Sequence, residues 1–382
     1  MSDDKEFVKG LEDVIAGESS ICDVDGKNGK LIYRGYDIHD LAENTTFEEV
    51  VYLLWNGGLP TISQLDALQA DLDAARVLPE AALDLLRRFP KTATAMDALR
   101  TATSLLALYD PDEADESMEA NKRKALRLTA QMGTLVAALD RLRKGEEPVA
   151  PKPGLSTAGN FLYQLTGTEP GATETHALDV ALVLHADHEL NASTFAARVT
   201  VATLTDMYSA VTSAVGTLAG PLHGGANVNV MHLLEQIGTP DRAEEIVTQM
   251  LAEGKKIPGI GHRVYRALDP RAMSLREMSR QLAESSGDAK WCEISEKVQE
   301  AADKALAAKG KTTLKANVDF FSASVYHMLG IPDDLFTPVF AISRVAGWTA
   351  HILEQLGDNR LIRPRAIYTG PRDLTVKPIS ER

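Results

Sequence analysis

The chain has 382 residues, 44% hydrophobic and 25% charged, ordinary proportions for a folded protein that buries a sizeable core in one or two domains. A formal net charge of −14 argues against a phosphate-binding basic surface, so nucleic acid is not an expected partner. No uninterrupted apolar run approaches the roughly 20 residues that span a bilayer, and MSDDKEFVKG lacks the flanks of a secretory signal, so no membrane role and a cytoplasmic location are expected.

In chain order, SICDVDGKNGKLIYRGYDI (20–38) alternates apolar positions around Gly26 and Gly29 and predicts one small hairpin, the only strand signal in the sequence. Its Cys22 and the distant Cys292 have no CxxC spacing, so both are expected as buried small hydrophobes rather than a disulfide or a zinc site. From Thr46 onward the apolar spacing is helical, as in Leu65, Leu68 and Leu72, and again in Ile294, Val298, Ala302 and Ala305. Gly and Pro punctuation at Gly57-Gly58-Leu59-Pro60, Phe89-Pro90 and Gly330-Ile331-Pro332 divides this pattern into many helices, so the fold class is all-α. The acidic DPDEADESMEA (110–120) reads either as a solvated face or as adaptation to high salt, and composition does not decide between them. Between Lys144 and Thr175, Pro, Gly and Thr accumulate, which fits an interdomain linker or a long surface connection equally.

Four later stretches combine titratable side chains with structure-breaking residues. In LHADHELNAST, His185, His188 and Glu189 would share a broad face if the helix continued through them, one way to begin a metal site, although no HExxH pattern or third helical ligand is present. In GTLAGPLHGGANVN, His223 precedes a glycine pair that permits close ligand approach or positive φ, and a helix starting near Ala226 would disfavour its imidazolium form. KKIPGIGHRVYRALDPR carries His262, Arg263, Arg266 and Arg271 within ten residues, a local cationic density that suits an anionic substrate. It matches neither GxxxxGK[ST] nor GxGxxG. In LKANVDFFSASVY, Asp319 stands among Val318, Phe320 and Phe321, a setting that raises a carboxylate's pKa and favours a base; taken singly, the same residue reads as a helix cap. Arg344 and Arg363 follow in AISRVAG and RLIRPRA.

HADHE, GPLHGGAN, PGIGHRVYRALDPR, NVDFFSA and the final SR and RP pairs, in this order, resemble the citrate synthase family over nearly the whole chain. The resemblance implies an all-α two-domain fold with a small N-terminal β-hairpin. A large domain over 1–220 and 329–382 would enclose a smaller, mobile CoA-binding domain over 221–328. It implies a Claisen-type condensation of acetyl-CoA with oxaloacetate followed by thioester hydrolysis to citrate, with Asp319 as base, His223 on the enol oxygen and His262 protonating the oxaloacetate ketone. His188, Arg271, Arg344 and Arg363 are expected to hold oxaloacetate, with Arg363 supplied by the other subunit of a homodimer with shared sites. Ile257, Pro258, Gly259, Ile260 and Gly261 are expected to receive the adenine of CoA, and Arg266 its phosphate; Lys255 and Lys256 are added on charge alone. No cofactor or metal is expected. After HADHE the chain reads LNAS, where longer eukaryotic relatives carry an extra glycine. The alternatives are a 2-methylcitrate synthase using propionyl-CoA, a metal-dependent hydrolase built on His185, His188 and Glu189, and a non-catalytic acidic scaffold.

Overall fold

The computed structural model describes residues 7–12 and 14–382. The chain opens with a three-stranded antiparallel sheet, β1 (Cys22–Asp25), β2 (Lys30–Tyr33) and β3 (Tyr36–Asp37), in the order β1-β2-β3. The expected hairpin is β1-β2, with Cys22 opposite Tyr33 and Asp25 opposite Lys30. The additional β3 is only two residues long, too short for any alternation to announce it.

Ten helices follow: α1 (Ile38–Asn44), α2 (Phe47–Asn56), α3 (Ile62–Ala75), α4 (Glu80–Leu86), α5 (Ala95–Leu106), α6 (Met118–Lys144), α7 (Thr157–Thr166), α8 (Ala172–His185), α9 (Ala192–Val201) and α10 (Met207–Leu218). Their starts obey simple capping chemistry. Thr46 and Thr61 form reciprocal capping boxes with Glu49 and Gln64, and Ser117, Ser156, Asn191 and Asp206 each accept a first-turn amide. The Pro- and Gly-rich stretch between Lys144 and Thr175 consists of surface segments on either side of α7, which is mostly buried and packs on α6 and α8.

A second group, α11 (Ala226–Ile237), α12 (Ala243–Ala252), α13 (Pro270–Ser286), α14 (Lys290–Ala308) and α15 (Val318–Met328), packs largely on itself and returns to the rest through α13 on α8. A 3₁₀ turn at Asp333–Leu335 then leads into α16 (Phe336–Gly357), which crosses α6, α9 and α10 as the central buried helix. Trp348 and Ile342 of α16 and Met132 and Leu128 of α6 are fully buried, and both cysteines are buried free thiols.

Two long-range ties position the later site. Tyr33 of β2 donates to the Asp187 carbonyl at 2.8 Å, holding the bend after α8 against the sheet. Ser20, just before β1, donates through backbone and hydroxyl to Glu354 of α16 at 2.8 and 3.0 Å, and Glu354 also accepts from Arg198 of α9 at 2.7 Å.

Candidate active site

The four stretches converge where the ends of α8, α10 and α11, the loop before α13 and the start of α15 meet. Helix α8 stops at His185, and the bend that follows carries His188, so His185, His188 and Glu189 do not share one helical face as the spacing suggested. His185 is buried with Nδ1 2.7 Å from the Ala181 carbonyl, and Nε2 of His188 lies 3.1 Å from the Tyr265 hydroxyl. Among the described residues these three do not bring ligand atoms together, so they do not form a ligand set.

His223 lies in the turn between α10 and α11, and α11 starts at Ala226 as expected. Neither glycine of the pair has positive φ; it is Gly224 that serves close approach. A Cβ on Gly224 would stand 2.3 Å from the Leu218 carbonyl oxygen and 2.8 Å from Thr337 Cγ2, so only glycine lets this turn press onto α10 and α16. The Ser193 amide, in the first turn of α9, donates to His223 Nε2 at 3.3 Å, and the Ser193 hydroxyl lies 2.8 Å from the same nitrogen. An amide donor at Nε2 requires a lone pair there, which leaves the proton on Nδ1. Burial, with the Arg344 charge adding to it, pushes the ring's pKa down to about 4, so it is a neutral donor. Trp348 donates to the Ser193 hydroxyl at 3.1 Å and fixes that support in turn.

His262 has the complementary arrangement. The amides of Val264 and Tyr265 donate to its Nδ1 at 3.1 and 3.2 Å, which leaves Nε2 to carry the proton. Burial and then Arg271 push its pKa down to about 4. The rings of His188 and His262 meet edge to face at 5.6 Å, with the Tyr265 ring 4.8 Å from His262. His188 is held well below the usual histidine range by burial, followed by the charge of Arg271.

Asp319 is not a helix cap. Asn317 caps α15 by accepting the Asp319 amide at 3.0 Å, and the Asp319 side chain, half-buried, makes no hydrogen bond among the described residues. Burial raises its pKa to about 6, with Asp269 adding to the rise and Arg271 and Arg344 opposing it.

Two guanidiniums face this cluster. Arg271 is buried and held by Asp269 through Nε at 2.9 Å and a terminal nitrogen at 2.8 Å, and Asp269 also accepts the Val318 amide at 3.0 Å. Arg344 is 1% exposed, lies over the Phe340 ring at 4.6 Å and donates through Nε to the His185 carbonyl at 2.7 Å. Among the described residues its terminal nitrogens have no partner, so a buried fork is left open for a carboxylate. Arg363 is elsewhere: it is exposed in the extended tail after α16 and joins none of these contacts.

The loop 257–261 is stitched to the segment that leads into α15. Gly261 donates to the Lys315 carbonyl at 2.7 Å, Asn317 to the Gly259 carbonyl at 2.9 Å, and the Asn317 side chain to the Gly261 carbonyl at 2.9 Å. Gly259 has φ 72°, and a Cβ there would stand 2.7 Å from Val230 and 2.9 Å from Phe320. Ile257 is buried, while Pro258 and Gly259 line a cleft of about 390 Å³ together with Asn229, His232, Leu233 and Lys256. Lys256 lines this cleft, whereas Lys255 is paired with Glu253 at 2.7 Å. The exposed Arg266 anchors by its amide to the Gly26 carbonyl at 2.8 Å, setting the β1-β2 turn against the loop that carries His262.

Sequence reasoning missed Ser193, Tyr265, Asp269 and Trp348. Asp269 was the most legible, as an acidic residue directly before Pro270 at a helix start. The contacts of Ser193 and Trp348 with the His223 support join residues 155 and 30 positions apart and carry no local signal.

The family profile described as "Citrate synthase, C-terminal domain" matches residues 10–365. Among similar proteins, Citrate synthase 2 of Bacillus subtilis is 50% identical over 98% of this chain and 99% of its own length, and citrate synthase of Haloferax volcanii is 49% identical over 99% of each. The 2-methylcitrate synthase 1 of Corynebacterium glutamicum is 41% identical over 99% of each. The citrate synthase structure from Pyrobaculum aerophilum aligns with TM-score 0.92 and 40% identity, covering 98% of this chain and 95% of that one. A ternary complex of carboxymethyl coenzyme A and oxaloacetate with the Thermoplasma acidophilum enzyme aligns with TM-score 0.91 and 34% identity, covering 99% and 100%.

Proposed function

Because this chain belongs to the citrate synthase family, an acyltransferase family, we propose that it condenses acetyl-CoA with oxaloacetate and hydrolyses the product to citrate and CoA, using the cluster above. The observation that carries this reading is the pairing of a carboxylate whose pKa is raised to about 6 with two histidines held neutral, each with its proton on the nitrogen left free by backbone amides. Asp319 removes a methyl proton while Nδ1–H of His223 donates to the thioester oxygen, so the product is an enol rather than a free enolate. The enol carbon attacks the ketone of oxaloacetate, and Nε2–H of His262 protonates the developing alkoxide. The two amides on Nδ1 and the nearby Arg271 favour the ring as that proton leaves. Water then cleaves the thioester of citryl-CoA.

Arg344, with its open fork, His188 and the remaining terminal nitrogen of Arg271 are the oxaloacetate ligands, and the partner subunit's Arg363 completes the set in a homodimer. The exposed tail with Leu361, Ile367, Tyr368, Leu374 and Val376 supports docking onto a second subunit. Residues 257–261 with Lys256 receive CoA, Arg266 meets its phosphate, and 221–328 moves as a closing domain that excludes water during condensation. The reaction needs no cofactor, and a cytoplasmic location accords with it; no described helix is long and apolar enough to cross a membrane.

The second reading, 2-methylcitrate synthase, is favoured by the 41% identity to such an enzyme, but identity to citrate synthases reaches 50%. One methylene is worth ~1–3 kcal/mol in an apolar pocket. Steady-state kinetics with oxaloacetate are expected to give a higher kcat/KM for acetyl-CoA than for propionyl-CoA, and the reverse order rejects the first reading.

A further inference from the structure

Away from the catalytic cluster, α11 turns two side chains outward one turn apart, His232 and Glu235, toward Asp333 at the start of the 3₁₀ turn before α16. One ligand atom from each of the three lies within 4.8 Å of the others. His327, at the end of α15, brings a fourth donor, its Nδ1 being 3.6 Å from Asp333 Oδ1.

The neighbouring Asp334 is held by Arg143 at 2.8 Å, and Asp303 and Glu244 likewise have lysine partners. Among the described residues, Glu235 and Asp333 have no Lys or Arg within ion-pair distance, and the His232 side chain has no hydrogen-bond partner. His232, Glu235 and Asp333 therefore face one another without a counter-cation, and His327 lies against Asp333 at the edge of the group.

Two nitrogen and two oxygen donors suit zinc, which binds such ligands tetrahedrally at about 2.0–2.2 Å. That geometry sets ligand atoms roughly 3.4 Å apart, reachable from the present spacing by side-chain rotation because His232 and Glu235 are exposed. Calcium and magnesium, which take oxygen donors at higher coordination number, fit this set poorly.

We propose that His232, Glu235, His327 and Asp333 bind a divalent transition ion, zinc by preference, and that the ion ties α11 to the turn entering α16. The tie crosses from the segment that carries His223 and the acyl-CoA cleft to the central helix that carries Arg344. His232 also lines that cleft, so metal ligation draws one of its wall residues toward the tether.

The test uses the full chain stripped of metal. Titration with Co²⁺ is expected to give one ion per chain with the intense visible absorption of a four-coordinate site, displaced by Zn²⁺. His232→Ala and Asp333→Asn, both at accessible positions, should keep the fold by circular dichroism and weaken zinc by roughly tenfold or more, the loss that even outer-shell changes cause. Zinc should also slow amide exchange in α11 of the wild type and not of Asp333→Asn. Zinc affinity in the His232→Ala/Asp333→Asn double variant equal to wild type would overturn the site, and exchange in α11 unchanged by bound zinc would overturn the tether.

Discussion

Asp319 is a usable base because of where its neighbours stop. Asn317 takes the capping role, so the carboxylate is spared the amide bonds that would hold its pKa low, and burial then raises it to about 6. The protonated form cannot accept a methyl proton. The kcat/KM for acetyl-CoA is therefore expected to fall tenfold per pH unit below about 6, while His223 and His262, with pKa about 4, stay neutral and add no limb between 5 and 7. Asp319→Asn should abolish this limb and lower kcat by roughly 10²–10⁴-fold while acetyl-CoA binding, followed by calorimetry, is largely kept. A variant that condenses at the wild-type rate removes Asp319 as the base.

At the scale of elements, the turn between α10 and α11 acts as a gauge that sets His223 against α9. Gly224 is its thinnest point, and a methyl group there meets the Leu218 carbonyl at 2.3 Å. Gly224→Ala is expected to cost ~1–3 kcal/mol of stability, read as a lower melting temperature, and to reduce kcat because the ring leaves the Ser193 amide. This level divides what the sequence disclosed from what it did not. Helix class, the start of α11 and the burial of both cysteines were legible because apolar spacing and Gly/Pro punctuation are local signals. The break of α8 after His185, the two-residue β3 and the Ser193–Trp348 support arise from contacts between distant segments, which no window of sequence contains. The acidic 110–120 stretch is mostly exposed, as a solvated face is, but its ion-pair partners on α6 left no local signal. Asp110 and Asp112 are clamped by Arg127, and Asp112 also by Arg123, so much of that charge is paired on the N-terminal half of α6.

For the whole molecule, the proposed dimer makes a sharp claim about Arg363. If each site draws this arginine from the partner subunit, Asp319→Asn and Arg363→Ala each inactivate their own homodimers. A mixed dimer of the two nevertheless contains one site with neither change. Co-expression in equal amounts is expected to restore about one quarter of wild-type activity through random pairing. No recovery in isolated mixed dimers places Arg363 in its own subunit's site.

The clasp between Ser20 and Glu354 has a consequence in time rather than in space. Its two ends are separated by 334 residues, and synthesis at about 5–20 residues per second holds them apart for tens of seconds. The opening strands thus leave the ribosome long before the helix that anchors them exists. Packing of the core around α16 must therefore wait until that helix has been made, and until then the opening strands lack their anchor.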